Sequence, residues 1–391
     1  MSEKNKVSIA VCGKFHYTNY VKFIESAGML ERFYFSHKLS TNSRSLGINR
    51  SQSVNAFIKE YLAVLHEKLL GTDSKMKFMT FYQDLWEGVA LLYYKKSSVF
   101  HVLNHGTSFR LLKKYKADGA ITLGEPLNSH PLYMNALLDE EYERLGINKK
   151  MGLHATQKRM IEETDLFDFI LTPSIFVKNS YIQYGFPEDK IFNLPIGVDS
   201  GKFRRLENQD IKKSNKIFKV IYVGQIIPRK AHIDLLEAWK KLKLPNAELV
   251  FIGSLSDEMI PILKKYEGLY KHLGTLSHNE IIEHLNQSAV FVMPSVEEGC
   301  AFAPIEAMSC GVAVILSTNT GSGELVTEGK EGFIVPIRNP DIIAEKILQL
   351  YNDREMAIEM GKNARTLATG TLNWEQYANQ LMNIYEQILL K

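Results

Sequence analysis

The 391-residue sequence has three cysteines, Cys12, Cys300 and Cys310, and no C-x-x-C pair. Each sits in an apolar or glycine-flanked context, which suits a reduced, buried thiol better than a disulfide or a zinc site. Long apolar runs are also missing. Stretches such as Val7 to Cys12 and Ala289 to Met293 fall far short of the roughly 20 residues that cross a bilayer, so no integral membrane protein is expected. The polar start, Met1 to Lys6, lacks the apolar core of a signal peptide, and the expectation is a cytoplasmic protein. No G-x-G-x-x-G run follows a strand-like segment, which removes the usual mark of a dinucleotide-dependent oxidoreductase. A strong charge of one sign is absent too: the net charge is +3, which argues against a nucleic-acid partner. The basic excess is confined to the first half, with 25 Lys/Arg against 20 Asp/Glu in residues 1–198 and 22 against 24 thereafter.

What is present is a globular composition, 45% hydrophobic and 23% charged, in a chain long enough for two domains. In the second half, Phe218 to Gly224, Ala247 to Gly253, Ala289 to Pro294 and Gly311 to Leu316 are short apolar runs ended or opened by Gly or Pro. Helical spacing separates them, as at Ile233, Leu236, Trp239 and Leu242. Strands buried on both faces and alternating with helices make a parallel, doubly wound sheet. The first half repeats the alternation, with strands expected at Val7 to Cys12, Val99 to Leu103, Gly119 to Leu123 and Asp168 to Thr172. Leu194 to Phe203, rich in Pro, Gly and Asp, reads as the linker, and Trp374 to Leu390 as a terminal helix. The fold class is α/β, two Rossmann-like domains facing across a cleft, and ligands of such sheets bind beyond the carboxyl ends of the strands.

Two loops in that position carry chemistry. In Ser295 to Glu306, Pro304 suits the first position of a helix, which would put Glu306 in its first turn and Glu298 in the loop before it. The free N–H groups at such a helix start favour a phosphate or diphosphate, and Gly299, Cys300 and Ala301 are small enough for close approach. Beside a phosphate, the two carboxylates make sense as hydroxyl acceptors, Glu306 for a ribose diol and Glu298 for a sugar ring. The plainer reading is a dipole-favoured Glu306 and a solvated Glu298. In the loop after Phe218 to Gly224, Arg229 and Lys230 stand at the start of the next helix. There they oppose its dipole unless an anion binds.

The ordered set Gly224, Arg229-Lys230, Pro294-Ser295, Glu298, Glu306, Gly321 to Val326 and Gly329 to Val335, with Pro195 to Asp199 in the linker, resembles family 4 retaining glycosyltransferases of the GT-B fold. The resemblance covers about residues 165 to 385. It implies a domain at 1–197 for the acceptor, one at 198–373 for a nucleotide-sugar donor, and a helix at 374–391 packing back on the first. It implies Arg229 and Lys230 on the leaving diphosphate, Glu298 on the donor sugar and Glu306 on the ribose. Gly224, Gly299, Cys300, Ala301, Phe302 and Ala303 would complete the donor site, with Gly253 and Leu276 near the base. Gln225 stands where the family often has Arg, a departure that Arg229 would cover.

The first half diverges more. The loop after its first strand offers one glycine, Gly13, where the family shows several; the resemblance implies Gly13 as the first-domain contribution to the donor site, and Lys14 lacks the spacing of a phosphate-loop lysine. His130 is the first choice for the active-site histidine, with His154, His105 and His16 as competitors. The implied reaction transfers a sugar from a UDP- or GDP-linked donor to a glycan, lipid-linked or small-molecule hydroxyl, in polysaccharide or glycoconjugate synthesis. No metal or other cofactor is expected, since the sequence contains no Asp-x-Asp. Rival readings are a non-catalytic sugar-nucleotide-binding subunit and a GT-B epimerase or phosphorylase. Lys95, Lys96, Lys113, Lys114 and Lys116, with Tyr93, Tyr94 and Phe109, form a basic aromatic face suited to peripheral membrane contact, or simply a solvated one.

Overall fold

A computed structural model describes residues 5–13, 15–206 and 217–391; Lys14 lies outside them. The described residues form two parallel sheets flanked by helices. The first contains β1 (Val7–Val11), β2 (Leu30–Phe35), β3 (Ser53–Asn55), β4 (Val99–Leu103), β5 (Ile121–Glu125), β6 (Phe169–Thr172) and β7 (Ile191–Asn193), in the order β3-β2-β1-β4-β5-β6-β7. The second contains β8 (Phe218–Val223), β9 (Ala247–Ile252), β10 (Lys271–His272), β11 (Val290–Met293), β12 (Ala313–Ser317) and β13 (Gly332–Val335), in the order β10-β9-β8-β11-β12-β13.

The central strands β1, β4 and β12 are buried at every position, as sheets covered by helices on both faces require. The edges are short, and β10 presents only exposed Lys271 and His272, which discourages pairing with another chain. One expected strand is corrected: Gly119 to Leu123 is displaced to Ile121–Glu125, because Gly119 adopts a left-handed turn (φ 83°) before the strand begins. That shift makes Glu125 the last residue of β5.

The two domains are held together by polar contacts. Arg144 reaches Asp234 at 2.7 and 3.0 Å, and Arg338 meets Glu140 at 2.6 Å and Glu141 at 3.2 Å. The Glu324 carboxylate accepts from the N–H groups of Ile175 and Phe176, both at 2.6 Å. A carboxylate of the second domain thus caps a helix of the first (Ile175–Gln183), where the dipole favours it. Val198 N donates to Leu372 O at 2.7 Å where the chain crosses between the domains. The helix Trp374–Leu390 then lies on the first domain, with Tyr385 OH 2.7 Å from His101 Nδ1 and the Tyr377 ring 5.1 Å from that of Tyr20.

Candidate active site

Both sheets reverse their strand order beside their first strand, between β1 and β4 and between β8 and β11. The loops leaving the carboxyl ends there meet across a cleft of about 810 Å³, the location that open α/β sheets give to ligands. Its lining includes Gly224, Gln225, Arg229 and Lys230 after β8, and Glu298, Cys300, Ala301, Phe302, Ala303 and Glu306 after β11. Phe15 and His16 after β1, Leu127 and Asn128 after β5, Lys202 in the linker and Trp374 complete the walls.

The cations are anchored by acids. Arg229 Nη1 donates to Glu297 Oε2 at 2.8 Å and to Glu297 O at 3.0 Å, and lies 3.3 Å from Glu298 Oε2. The Lys230 ammonium pairs directly with Glu298. Lys230 is buried, and burial together with the neighbouring Arg229 pushes it well below the ordinary lysine range, against the pull of Glu297. Both cations stand in a short turn, Pro228–Lys230, and Ala231 (φ 52°) opens the following helix His232–Leu242. The sequence expectation put them at the helix start itself; they precede it and face the cleft.

Glu297, to which sequence reasoning gave no role, is fully buried and links the domains. Its Oε2 takes Arg229, while its Oε1 accepts from Ser129 N at 3.1 Å and Ser129 Oγ at 2.8 Å. The neighbouring Gly299 is packed so tightly on the first domain that a Cβ would overlap the Leu127 carbonyl oxygen. Its own carbonyl accepts from Ser174 Oγ at 2.7 Å. Gly321 N supports the loop from below, donating to Glu298 O at 2.9 Å.

The helix after β11 runs Phe302–Ser309 with Ala301 as N-cap. Pro304 is therefore its third residue and Glu306 lies in the second turn, a correction to the sequence expectation. The reason is that proline, having no N–H, is tolerated anywhere in a first turn. Glu306 still lines the cleft. Burial pushes its carboxyl up to about 7, with Lys202 opposing.

Among the other expected donor residues, Gly253 lies behind the lining, donating to Gly274 O at 2.8 Å, and a Cβ there would overlap the Gly224 carbonyl. Leu276 packs against the core. Gly13 has φ 123° and packs on the Phe15 ring. His130, the first choice for the active-site histidine, is not part of this cleft. It caps the helix Pro131–Arg144, with Nδ1 accepting from Leu132 N at 3.3 Å. It lines a separate pocket of about 320 Å³ with Tyr181 and Tyr184, and burial lowers its pKa to about 4. A Ser-His-Pro sequence turns out to be a helix start. His105 is buried and pushed down to about 3, and His154 forms a capping box with Gln157.

His16 is the competitor that reaches the cleft. Its Nε2 lies 2.8 Å from Glu125 Oε1, which also accepts from Tyr377 OH at 2.9 Å; His101 Nε2 stands 3.0 Å from Oε2. Burial alone would raise Glu125, but the rings of His16 and His101 hold it far below the usual carboxylate range. The His16 ring stacks on Trp374 at 5.7 Å, with Phe302 at 6.3 Å. The result is an aromatic wall with one carboxylate-fixed imidazole in it.

The basic face expected to meet a membrane is largely paired: Lys95 with Glu31, Lys114 with Asp118 and Lys116 with Asp168. Exposed apolar side chains gather instead on the helix Ile58–Leu70 and just after it, where Leu65 is 52% and Leu69 71% exposed, alongside Phe78 and Phe81. No helix among the described residues is long and apolar enough to cross a membrane.

Residues 203–367 match the family model of glycosyl transferases group 1. An uncharacterized glycosyltransferase of Methanocaldococcus jannaschii is 26% identical over 75% of this chain and 86% of its own length. The capsular polysaccharide biosynthesis glycosyltransferase CapM of Staphylococcus aureus is 31% identical over 52% of this chain and 57% of its own length. A GDP-mannose-dependent phosphatidylinositol monomannoside mannosyltransferase of Mycobacterium tuberculosis is 26% identical over 57% of this chain and 62% of its own. In fold, sucrose-phosphate synthase of Thermosynechococcus elongatus superposes with a TM-score of 0.74 at 16% identity, covering 98% of this chain and all of that one. HepE of Anabaena, solved with UDP and glucose, gives 0.65 at 14% identity, covering 98% of this chain and 99% of that one.

Proposed function

We propose, for a GT-B glycosyltransferase chain that belongs over residues 203–367 to glycosyl transferases group 1, that the cleft takes a UDP- or GDP-linked sugar and passes it to an acceptor hydroxyl with retention. The observation that carries this reading is the convergence of Arg229, Lys230, the start of the helix Phe302–Ser309 and two carboxylates on one cleft. The diphosphate sits against the two cations and the N–H groups of Phe302 and Ala303, which satisfies charges now balanced only by Glu297 and Glu298. Glu306 takes the ribose hydroxyls. Glu298 accepts a hydroxyl of the donor sugar.

In the transfer step the bond from the anomeric carbon to the diphosphate oxygen breaks, and its electron pair leaves with the diphosphate. The acceptor oxygen bonds to the same face of that carbon, and its proton passes to the departing phosphate oxygen. Negative charge grows on the diphosphate as the bond breaks. Fixed cations and N–H dipoles in a shielded cleft stabilise it, and a single such donor is commonly worth about 3–4 kcal/mol. His16, fixed by Glu125 beside Trp374, holds the acceptor hydroxyl on the opposite wall. Helix and cations neutralise the leaving group, so turnover is expected to persist in a chelator.

The relatives CapM and the phosphatidylinositol monomannoside mannosyltransferase support a role in cell-surface polysaccharide or glycolipid synthesis. The exposed apolar side chains around Ile58–Leu70 support peripheral attachment to a membrane through the acceptor domain, in place of the paired basic face. The test is nucleoside diphosphate release from a panel of UDP- and GDP-sugars with candidate acceptors, in EDTA, with proton NMR of the product's anomeric centre. Release from one donor, dependent on acceptor and reduced at least 100-fold in Lys230→Ala, supports the reading. Isomerised donor without acceptor refutes it in favour of an epimerase, and an inverted product refutes retention.

A further inference from the structure

On the side of the second domain away from the cleft lies a cavity of about 170 Å³ that the transfer chemistry does not use. Ser288 and Ala289, just before β11, and Gly311, just before β12, form its floor. It therefore opens at the amino ends of these strands, whereas the cleft lies at their carboxyl ends. Its charged lining is Arg205, just after the linker, and Arg354, Lys362 and Arg365 from the helix Arg354–Thr371. Among the described residues no carboxylate lines it.

Arginines elsewhere in the chain, such as Arg144, Arg229 and Arg338, find carboxylates. The three in this pocket form no ion pair among the described residues. Among the described residues the Arg205 side chain donates to the Asn286 carbonyl, at 3.4 Å; burial disfavours its charge, Cys310 opposes that, and the adjacent Arg365 adds to it. Arg354 sits against the rings of Phe218 and Tyr351, with its guanidinium carbon 4.1 and 4.6 Å from the ring centroids. Lys362 at the exposed rim pairs with Glu359 at 3.0 Å.

Like charges held partly out of water repel, a cost that no carboxylate of the described lining offsets. The end of the helix Phe302–Ser309, whose carbonyls face this side, favours one cation and not three. Asn286 and Ser288 have no donor to spare, since Asn286 Nδ2 serves Arg204 O and Ile282 O and Ser288 Oγ serves His284 O. Among the described side chains, the donors left for an anion are the guanidinium groups and the remaining N–H groups of the Lys362 ammonium, a set that matches the oxygens of a phosphate. The volume suits a phosphate group and a few waters; nucleotide-sized ligands need roughly 300 Å³ or more.

We infer that this pocket is a second anion site, built for the phosphate group of a phosphate ester and separate from the donor cleft. Arg205 and Arg365 clamp the phosphate oxygens, and Arg354, oriented by its aromatic bed, and Lys362 close the rim. Arg205 follows Phe203, which lines the cleft and whose carbonyl accepts from Ser309 Oγ at 2.5 Å. The two sites thus flank a single helix.

The probe is inorganic phosphate, titrated against the full chain at constant ionic strength and followed by melting temperature. Phosphate also has a claim on Arg229 and Lys230, so the titration is repeated in Lys230→Gln. The inference expects a phosphate-dependent rise that persists in Lys230→Gln and weakens at least tenfold in apparent affinity in Arg205→Gln/Arg365→Gln. It also expects the double variant to melt no lower than wild type without phosphate, because removing mutual repulsion offsets lost packing. Lys362→Gln, at the exposed rim, keeps the test open if the double variant does not fold, with a smaller loss of phosphate affinity. A rise that chloride reproduces, or one that the pocket variants leave unchanged, overturns the site. Cosedimentation with phosphatidic acid vesicles against phosphatidylcholine ones, lost in Arg365→Gln, assigns the phosphate to a lipid headgroup. Binding of phosphate without such cosedimentation assigns it to a soluble ester.

Discussion

Replacing Glu306 by Gln separates what this carboxyl costs the fold from what it contributes to the ligand. Its pKa is pushed up by burial from 4.5 to about 7, against Lys202. At roughly 1.4 kcal/mol per tenfold change in protonation, ionising it costs the ligand-free protein up to about 3 kcal/mol, and less by whatever water reaches it. A raised carboxyl contributes its stability below pH 4.5 and loses it as pH climbs through 7. Glu306→Gln should therefore match wild type in melting temperature at pH 5 and exceed it at pH 8.5. At roughly 2–4 °C per kcal/mol for a domain of this size, the gain is several degrees. The ligand sees the opposite. A carboxylate accepting ribose hydroxyls is worth about 1.5–3 kcal/mol, so Gln should weaken nucleoside diphosphate affinity by roughly 10- to 150-fold at pH 8.5. The loss should be smaller at pH 6, where wild-type Glu306 is itself mostly protonated. Paired thermal-shift and calorimetric titrations at the two pH values read both effects. A Gln variant less stable than wild type at pH 8.5, or one that binds as tightly there, would refute the reasoning.

Gly299→Ala should disrupt the closed domain arrangement, because the added methyl overlaps the Leu127 carbonyl. Turnover should fall by more than tenfold with nucleoside diphosphate affinity changed less, and small-angle scattering should show a larger radius of gyration. His16→Asn removes the imidazole that Glu125 fixes and should lower kcat by about 100-fold while leaving the nucleoside diphosphate affinity within a factor of two. An equal loss of both would return His16 to a purely structural role. The carboxylate of Glu163, which accepts from Gly106 N at 2.5 Å and Ser108 N at 2.6 Å, is raised by burial to about 8, so its stabilisation fades as pH rises from 4.5 through 8. Melting temperature should decline from pH 6 to 9, and the decline should be shallower in Glu163→Gln; an unchanged slope would locate the titrating group elsewhere.

The second domain was legible because its strands are continuous apolar runs ending in Gly or Pro, and because Arg229, Lys230 and Glu298 sit in loops directly after them and Glu306 in the helix that follows. In the first domain, β2 was hidden because Glu31 and Arg32 interrupt its apolar run. Both are partly exposed near the sheet edge, which a sequence pattern cannot tell from a loop. Glu297 and Glu125 were invisible for another reason. Glu297 gains its role from Arg229 and from Ser129, 168 residues away in sequence, and Glu125 from His16, 109 residues away. No local spacing encodes such contacts. His130 misled because a histidine before proline looks the same whether it caps a helix or faces a substrate. The anion pocket had no sequence signature at all, since Arg205 meets Arg354 and Arg365 only once β11 and β12 are in place.

The cleft as a nucleoside diphosphate site is tested most directly by calorimetric titration of UDP and GDP into the folded chain in EDTA. One of the two should bind with a single site per chain, with affinity lost at least tenfold in both Lys230→Ala and Glu306→Ala. Absence of binding by either at millimolar concentration, in a preparation that melts cooperatively, would contradict it.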